Sequence, residues 1–460
     1  MDADVLVVGA GPVGLCLAAE LALGGVRALV LERLPEPSGE PKARGIGVLA
    51  TEALRRRGLG PQLDAAHEDG VRDFARDHGS HLGHFANIHK LVPDPGRRGT
   101  YIWQPQLERL LADHAGRLGV RVLRGHEVDA LESTVDSVTV VAGGRRWRAP
   151  WLAGCDGGRS TVRKLAGFGF PGTPALLRMI AGRVRFAGEV PAPGRYPRGT
   201  FLHGHGMAGV QEPARDSEPE GPVTPGELAE AIERVTGRSV VVEEVSESRR
   251  FGDQARQADT YRRGRVFLAG DAAHVHSPSG GQGLNLGLLD AVNLGWKLAA
   301  VIRGDVPEAL LDTYSRERHP AGEAVLRNTR AQSALLAPGP HVDALREIVA
   351  DLIDLPEVNR YFADLLSGVN LRYPFPYPAA EPVGQHCADL ELVGVDGAVS
   401  HLYEHMTTGR GLLLTPSAPV TDRVDALDVT TPGPLLLRPD GVIAWAGGEA
   451  LDAAVKTWFG

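Results

Sequence analysis

Aromatic residues make up only 5% of the 460-residue chain, and there are just three cysteines, Cys16, Cys155 and Cys387. The cysteines stand too far apart for a CxxC pair or a thiolate metal set, which excludes a disulfide scaffold and leaves three buried thiols in a reducing compartment. No apolar run approaches the ~20 residues that a membrane-spanning helix needs. Basic charge is short as well: the formal net charge is −8, which leaves no basic surface for the phosphates of nucleic acid. The opening MDADVLVVGAGPVGL carries Asp2 and Asp4 where a signal peptide has a basic n-region. No membrane association and a cytoplasmic location are expected. Lysine accounts for five of the 49 basic residues, a compositional bias without a chemical message.

What is present is a long, ordinary globular chain. At 460 residues, 43% of them hydrophobic, it can bury more than one core, and two to three domains are expected. Residues 4–8 read as a buried strand, 12–24 as a helix and 27–32 as a second strand, which makes a βαβ unit and implies a parallel sheet. Residues 43–59 read as a loop and helix, and 104–118 as an amphipathic helix. The alternation at 120–123 and 138–141 suggests further strands, by which the segment 100–165 returns to the first sheet. Residues 176–260 change character, with scattered Gly and Pro, a helix near 227–235 and a strand near 240–245, and read as a separate inserted α+β domain that also takes in parts of 73–100. A strand at 266–269 precedes a glycine-rich loop and a helix at 285–303 that is apolar nearly all round and belongs in a core. Helices continue to about 368, the Pro-rich stretch 373–382 reads as a linker, and a last module covers 381–460.

Three motifs carry chemistry. Gly9, Gly11 and Gly14 form a GxGxxG directly between strand and helix, and Glu32 closes the second strand 18 residues beyond Gly14. Glycines there allow a tight turn and close approach to a pyrophosphate, the helix N-terminus supplies N–H donors, and the acid can accept from ribose hydroxyls. This fingerprint alone does not separate NAD from FAD. The second motif does: VFLAGDAAH puts Asp271 at the end of a buried strand, where it can hold a ribityl hydroxyl, and PSGGQGLN (Pro278 to Asn285, with Gly283 and Leu284) runs into the buried helix. Its N–H groups would stabilise negative charge on a reduced flavin, which a nicotinamide-only enzyme does not need. The third, CDGGRSTVR from Cys155 to Arg163, is a strand-end acid, a glycine turn and a basic helix start, in which Ser160 can equally be a helix cap. The fold class that follows is α/β: a Rossmann-like FAD-binding domain with a helical extension over 1–175 and 261–370, interrupted by the inserted domain.

Together these motifs, with Glu32 and Arg33, KARGIG around Arg44, Gln104 before its helix, and the stretch from Tyr314 to Pro320, resemble the FAD-dependent aromatic hydroxylases, the para-hydroxybenzoate hydroxylase-like family, and within it the aromatic-polyketide hydroxylases. The resemblance spans about residues 1–330. It implies that Arg44 and Gln104 contact the flavin, that Asp156 and Arg163 lie where pyrophosphate and NAD(P)H are managed, that Asp271, Leu284 and Asn285 hold the ribityl chain and ring, and that the backbone at Pro278 faces the reacting edge. Residues 381–460 are similar to the thioredoxin-like tail of that branch but have no CxxC.

The activity implied is NADPH- or NADH-dependent hydroxylation of a polycyclic aromatic polyketide by O2 through a flavin C4a-hydroperoxide, with the cofactor carrying the hard chemistry. A Baeyer–Villiger or other flavin redox step on such a substrate, and a non-catalytic FAD scaffold or sensor, are the competing readings. A homo-oligomer is compatible with either. His274 and His276 are too few for a metal site, and no metal is expected. His203 and His205 alternate on a strand of the inserted domain. They either face solvent or line the substrate pocket.

Overall fold

The computed structural model describes the chain apart from residues 41, 76–83, 93, 205, 216–218, 220, 378–380, 416–422 and 432, and apart from the side chains of 73–75 and 431. Its centre is a six-stranded sheet in the order Arg262–Arg263, Val266–Leu268, Trp151–Gly154, Val5–Val8, Ala28–Glu32, Arg121–Arg124, parallel throughout except for the first edge strand. Val5–Val8 is buried along its whole length, as a parallel strand covered on both faces must be, and this is why it reads as an unbroken apolar run. Helix Pro12–Leu23 crosses from it to Ala28–Glu32 and packs against helices Gln104–Arg117 and Gly283–Ile302. The segments bearing Gly9–Gly14, Glu32, Asp156 and Asp271 all leave this sheet at the C-terminal ends of its strands, the ligand-binding edge of such a sheet.

The segment 100–165 returns to the central sheet through Arg121–Arg124 and Trp151–Gly154. Arg121–Arg124 joins the central sheet, but Val138–Ala142 does not: it is the middle strand of a separate antiparallel meander with Val128–Ser133 and Arg145–Ala149. Its alternating burial is the mark of a sheet covered on one face, which the doubly covered central sheet is not. One expectation needs correction: the Pro-rich stretch is no free linker. Tyr373 is 3% exposed, Phe375 and Tyr377 pack into the C-terminal cores, and the stretch straps the last module to the body of the protein. Residues 378–380 of that stretch lie outside the described residues.

The inserted domain is a five-stranded antiparallel sheet, ordered Gly194–Tyr196, Gly199–Gly204, Met207–Pro213, Leu177–Ala187, Val241–Gly252. One face is covered by helix Pro225–Thr236, whose Leu228, Ile232 and Val235 meet Ile180, Phe201 and Val210. That helix starts where the Thr224 hydroxyl accepts from the Glu227 N–H and stops at Gly237 in the left-handed region. Helices Asp312–Leu336, Pro340–Ile353 and Pro356–Ser367 complete the body. Among the described residues no helix is long and apolar enough to cross a membrane.

The thioredoxin-like module centres on Gly411–Leu414, flanked by a parallel Val424–Leu427 and an antiparallel Leu435–Leu437. The latter pairs with Ile443–Trp445, and helix Leu451–Trp458 closes the module. Buried arginines dock it, Arg56 among them, which donates to the Asp440 carbonyl at 3.1 Å. Arg57 grips Glu20 of the first helix at 2.7 and 2.8 Å and donates to the carbonyls of Met406 and Pro439. Arg438 reaches back with two bonds of 2.8 Å to Glu317.

Candidate functional site

The site starts at the turn after Val5–Val8. Gly9 holds φ +104°, a region L side chains rarely adopt, and a Cβ on Gly14 would lie 2.0 Å from the Gly9 carbonyl oxygen. Gly11 is different: nothing lies within 4 Å of where its Cβ would be. Two of the glycines therefore shape the turn, and the middle one opens it outward at the start of helix Pro12–Leu23, whose first N–H groups have no intrahelical acceptor. The Glu32 carboxylate braces the same turn, accepting from the Ala10 N–H at 2.7 Å and the Leu34 N–H at 2.8 Å. Arg33 beside it is exposed.

The CDGGRSTVR loop is closed by its own side chains. Asp156 accepts from the Ser160 hydroxyl at 2.5 Å and from the N–H groups of Thr161 and Val162 at 2.7 and 3.0 Å, and Ser160 caps the helix through the Arg163 N–H at 2.9 Å. Arg163 is buried against the Phe170 ring and donates to the carbonyls of Gly158 and Ala272 at 2.8 and 2.9 Å. Burial pulls its guanidinium down from the ordinary value, with Asp156 opposing. Both side chains are thus bonded within the protein, Asp156 as a cap and Arg163 as a brace.

Asp271 shows the opposite state. It stands exposed on the short turn Gly270–Ala272, and its carboxylate has no hydrogen-bond partner among the described residues. The glycine-rich loop follows and helix Gly283–Ile302 begins. The Asn285 side chain is taken up in joining segments, its Oδ1 accepting from the Gly47 N–H at 2.5 Å and its Nδ2 donating to the Gly281 carbonyl at 2.8 Å. Strand Gly45–Ile46 pairs with Thr100–Tyr101, and the Gln104 N–H donates to the Ala43 carbonyl at 2.9 Å. Arg44, Gln104 and the helix start at Gly283, Leu284 and Asn285 therefore form one connected cluster. Arg44 is exposed, over the Trp103 ring at 5.0 Å, and Gln104 donates to Glu108 at 2.9 Å. Pro278 is exposed at the tip of the loop.

Sequence reasoning considered His276 only as a metal ligand and missed its setting. Its Nδ1 lies 2.7 Å from the Ser277 carbonyl oxygen, so Nδ1 carries the proton, and Nε2 is a buried acceptor with no partner. That atom lies 3.4 Å from where a Cβ on Gly283 would be. Burial pulls the imidazole below its ordinary value, which keeps it neutral. An open glycine at one helix start, a free carboxylate and an orphaned buried acceptor at a second form a set of groups that fits the phosphates, ribityl hydroxyls and ring of a flavin dinucleotide.

The histidines of the inserted domain fall elsewhere. His203 shares a face with Phe201, and their partners across the strand pair, Ala208 and Val210, are core residues under the helix. Its ring sits 5.1 Å from Phe186 and 6.1 Å from Phe201. The pocket placement of His203 is corrected on that ground: its side of the sheet is filled by the domain's own core. His205 lies outside the described residues. His274 is fully buried against Asp290 at 2.7 Å, and no group of three potential metal ligands occurs among the described residues.

The FAD binding domain family matches residues 2–329, and the aromatic-ring hydroxylase C-terminal domain matches residues 380–460. The chain belongs to the FAD-dependent aromatic hydroxylases, in their aromatic-polyketide branch, and is a flavin monooxygenase by class. It is 40% identical to the 12-dehydrotetracycline 5-monooxygenase/anhydrotetracycline 6-monooxygenase of Streptomyces rimosus, over 100% of this chain and 99% of that one. It is also 40% identical to the rifampicin monooxygenase of Streptomyces venezuelae, over 99% and 98%. The solved structure of the OxyS anhydrotetracycline hydroxylase from Streptomyces rimosus matches with a TM-score of 0.87 at 38% identity, covering 100% of this chain and 99% of that one.

Proposed function

We propose that this chain uses NADPH or NADH and O2 to hydroxylate a polycyclic aromatic polyketide. The observation that carries the reading is the second cradle, where the unpartnered Asp271 carboxylate and the orphaned His276 Nε2 flank the N-terminus of the buried helix. A nucleotide fold alone does not require it. FAD, when bound, accepts hydride from the nicotinamide and activates O2 for transfer to an electron-rich ring. In this reading Gly9, Gly11 and Gly14 admit the pyrophosphate, Glu32 and Arg33 face the ribose side, and Asp271 accepts from ribityl hydroxyls. The N–H groups at Gly283, Leu284 and Asn285 and the Arg44 guanidinium supply positive potential on the ring side, Gln104 borders it, and the backbone at Pro278 borders the substrate. None of these groups needs to act as a nucleophile.

The size of the substrate follows from what the relatives are named for and from what binds flat molecules. A multi-ring phenol gains affinity from apolar area, at roughly 25 cal/mol per Å2, with one or two polar groups selecting the carbon. The test is NADPH- and NADH-dependent oxygen uptake by the yellow holoprotein, with product mass analysis, across single-ring benzoates and three- or four-ring phenols. Coupled addition of one oxygen to a polycyclic ring supports the reading. Efficient turnover of a simple benzoate with none of any polycyclic compound overturns the substrate class, ring expansion of a ketone overturns hydroxylation in favour of oxygen insertion next to the carbonyl, and no oxygen uptake with any substrate overturns the monooxygenase chemistry as a whole.

A further inference from the structure

The turn that presents Asp271 is held from behind by a chain of buried bonds reaching the C-terminal module. Asp290, two turns into helix Gly283–Ile302, is 0% exposed. Its Oδ2 accepts from the Gly270 N–H at 3.0 Å and lies 2.7 Å from His274 Nε2, while its Oδ1 accepts from Arg318 Nε at 2.8 Å. Arg318, also 0% exposed, donates through Nη1 to the Tyr373 hydroxyl at 2.7 Å and through Nη2 to the Leu286 carbonyl at 3.0 Å. Tyr373 belongs to the strap, and its N–H donates to the Gly384 carbonyl at 2.9 Å. The far end of the Asp271 turn is fixed separately, by Arg163 on the Ala272 carbonyl.

Burial by itself would push the Asp290 carboxyl up, but Arg318 and His274 outweigh it and hold it below its ordinary value. Burial pushes the Tyr373 hydroxyl up to about 12, so it remains a neutral partner for Arg318. A buried ion pair is weak evidence for stability as such, since apolar residues of similar volume often serve as well. The direction in which this one points is informative: it ends on the first N–H of the turn that carries Asp271. We infer that Asp290, set by Arg318 and Tyr373, is a positioning residue for Asp271, so that the C-terminal module tunes how tightly the chain holds FAD. The inference rests on Asp271 facing the cofactor.

Tyr373→Phe removes only the hydroxyl at the far end of the chain of bonds. Tyr377→Phe is the matched control, because its hydroxyl bonds only within the tail, to the Ala444 carbonyl and Trp458. FAD Kd by fluorescence quenching and the visible circular dichroism of the bound flavin are measured on the full chain, with Tm for each variant. Tyr373→Phe should raise Kd by about 3- to 10-fold and alter the flavin spectrum, while Tyr377→Phe lowers Tm with Kd unchanged. Equal Kd shifts in both variants, or none in Tyr373→Phe while Asp271→Ala still weakens FAD, overturn the inference. No effect from Asp271→Ala overturns the site reading instead. If Tyr373→Phe does not fold, hydrogen exchange on the unaltered protein decides. By reciprocity of linkage, added FAD should slow exchange in the peptide around Tyr373 as well as around Gly270, and protection confined to the latter overturns the inference.

Discussion

The three glycines of the first turn make different demands, and substitution should separate them. Gly11 has open space at its Cβ position, so Gly11→Val should leave the Tm of the FAD-free protein within about 2 °C while weakening FAD by at least about 10-fold, since the side chain would occupy the phosphate approach. Gly14→Ala should instead lower Tm, because its Cβ would meet backbone at 2.0 Å. Melting curves with and without FAD check both, and a Gly11→Val protein that retains wild-type affinity would place the pyrophosphate elsewhere. Asp271→Ala belongs to the same scale. Its carboxylate has no hydrogen-bond partner among the described residues, so stability should hold while FAD affinity falls by about 1.5–3 kcal/mol, the worth of a charge-assisted hydrogen bond, as read by titration of the apoprotein. These positions were legible in the sequence because the turn and strand end that constrain them are local. The bonds that Asp156 and Arg163 make were not legible: spacing shows an acid and a base, but their partners Ser160, Gly158 and Ala272 are brought to them only by the folded loop.

Helix Gly283–Ile302 was legible as a core helix, yet it carries Asp290, Asn293 and Lys297 along one face, all buried. Three polar residues at i, i+3 and i+7 in an apolar run were the available signal. Their partners Glu317, Arg318 and Asp440, and Arg438 that bonds to two of these, come from other segments of the chain, so the network itself could not be read. Glu317 is its hub, bonded to Lys297 and Asn293 at 2.8 and 2.7 Å and twice to Arg438. Burial alone would raise its carboxyl, but Arg438 and Lys297 prevail and hold it at about 2 against an ordinary 4.5. A carboxylate lowered on folding contributes stability that is complete above the unfolded value and is lost as pH falls from 4.5 towards about 2. Glu317→Gln should therefore cost about 3–5 kcal/mol near neutrality, by leaving buried cations uncompensated, and should flatten the fall of Tm as pH drops from 4.5 towards about 2. Parallel Tm-against-pH curves for the two proteins would show that other carboxylates govern acid lability.

For the molecule as a whole, the docking of the last module was not legible in the sequence, because it depends on buried arginines reaching across the chain. Arg57 ties that module to the first helix and Arg438 ties it to Glu317, so the tail is built into the body of the enzyme and not appended to it. Its lone thiol tests whether it also takes part in chemistry. Cys387 is 5% exposed, and burial, opposed by Arg56, pushes the thiol up to about 12, so almost no thiolate exists at neutral pH. The other two cysteines are buried within the flavin domain's core, which leaves no resolving partner. Cys387→Ser should keep turnover per bound flavin at the wild-type value while costing on the order of 1 kcal/mol of stability, because a hydroxyl replaces a thiol in an apolar cluster. Cys387→Ala separates the two effects, since it removes the sulfur without burying a new polar group. Native protein should also resist a thiol-specific disulfide reagent until it is unfolded. Wild-type melting and flavin content with turnover reduced in both variants would give the tail a redox role that its buried, unpartnered thiol argues against.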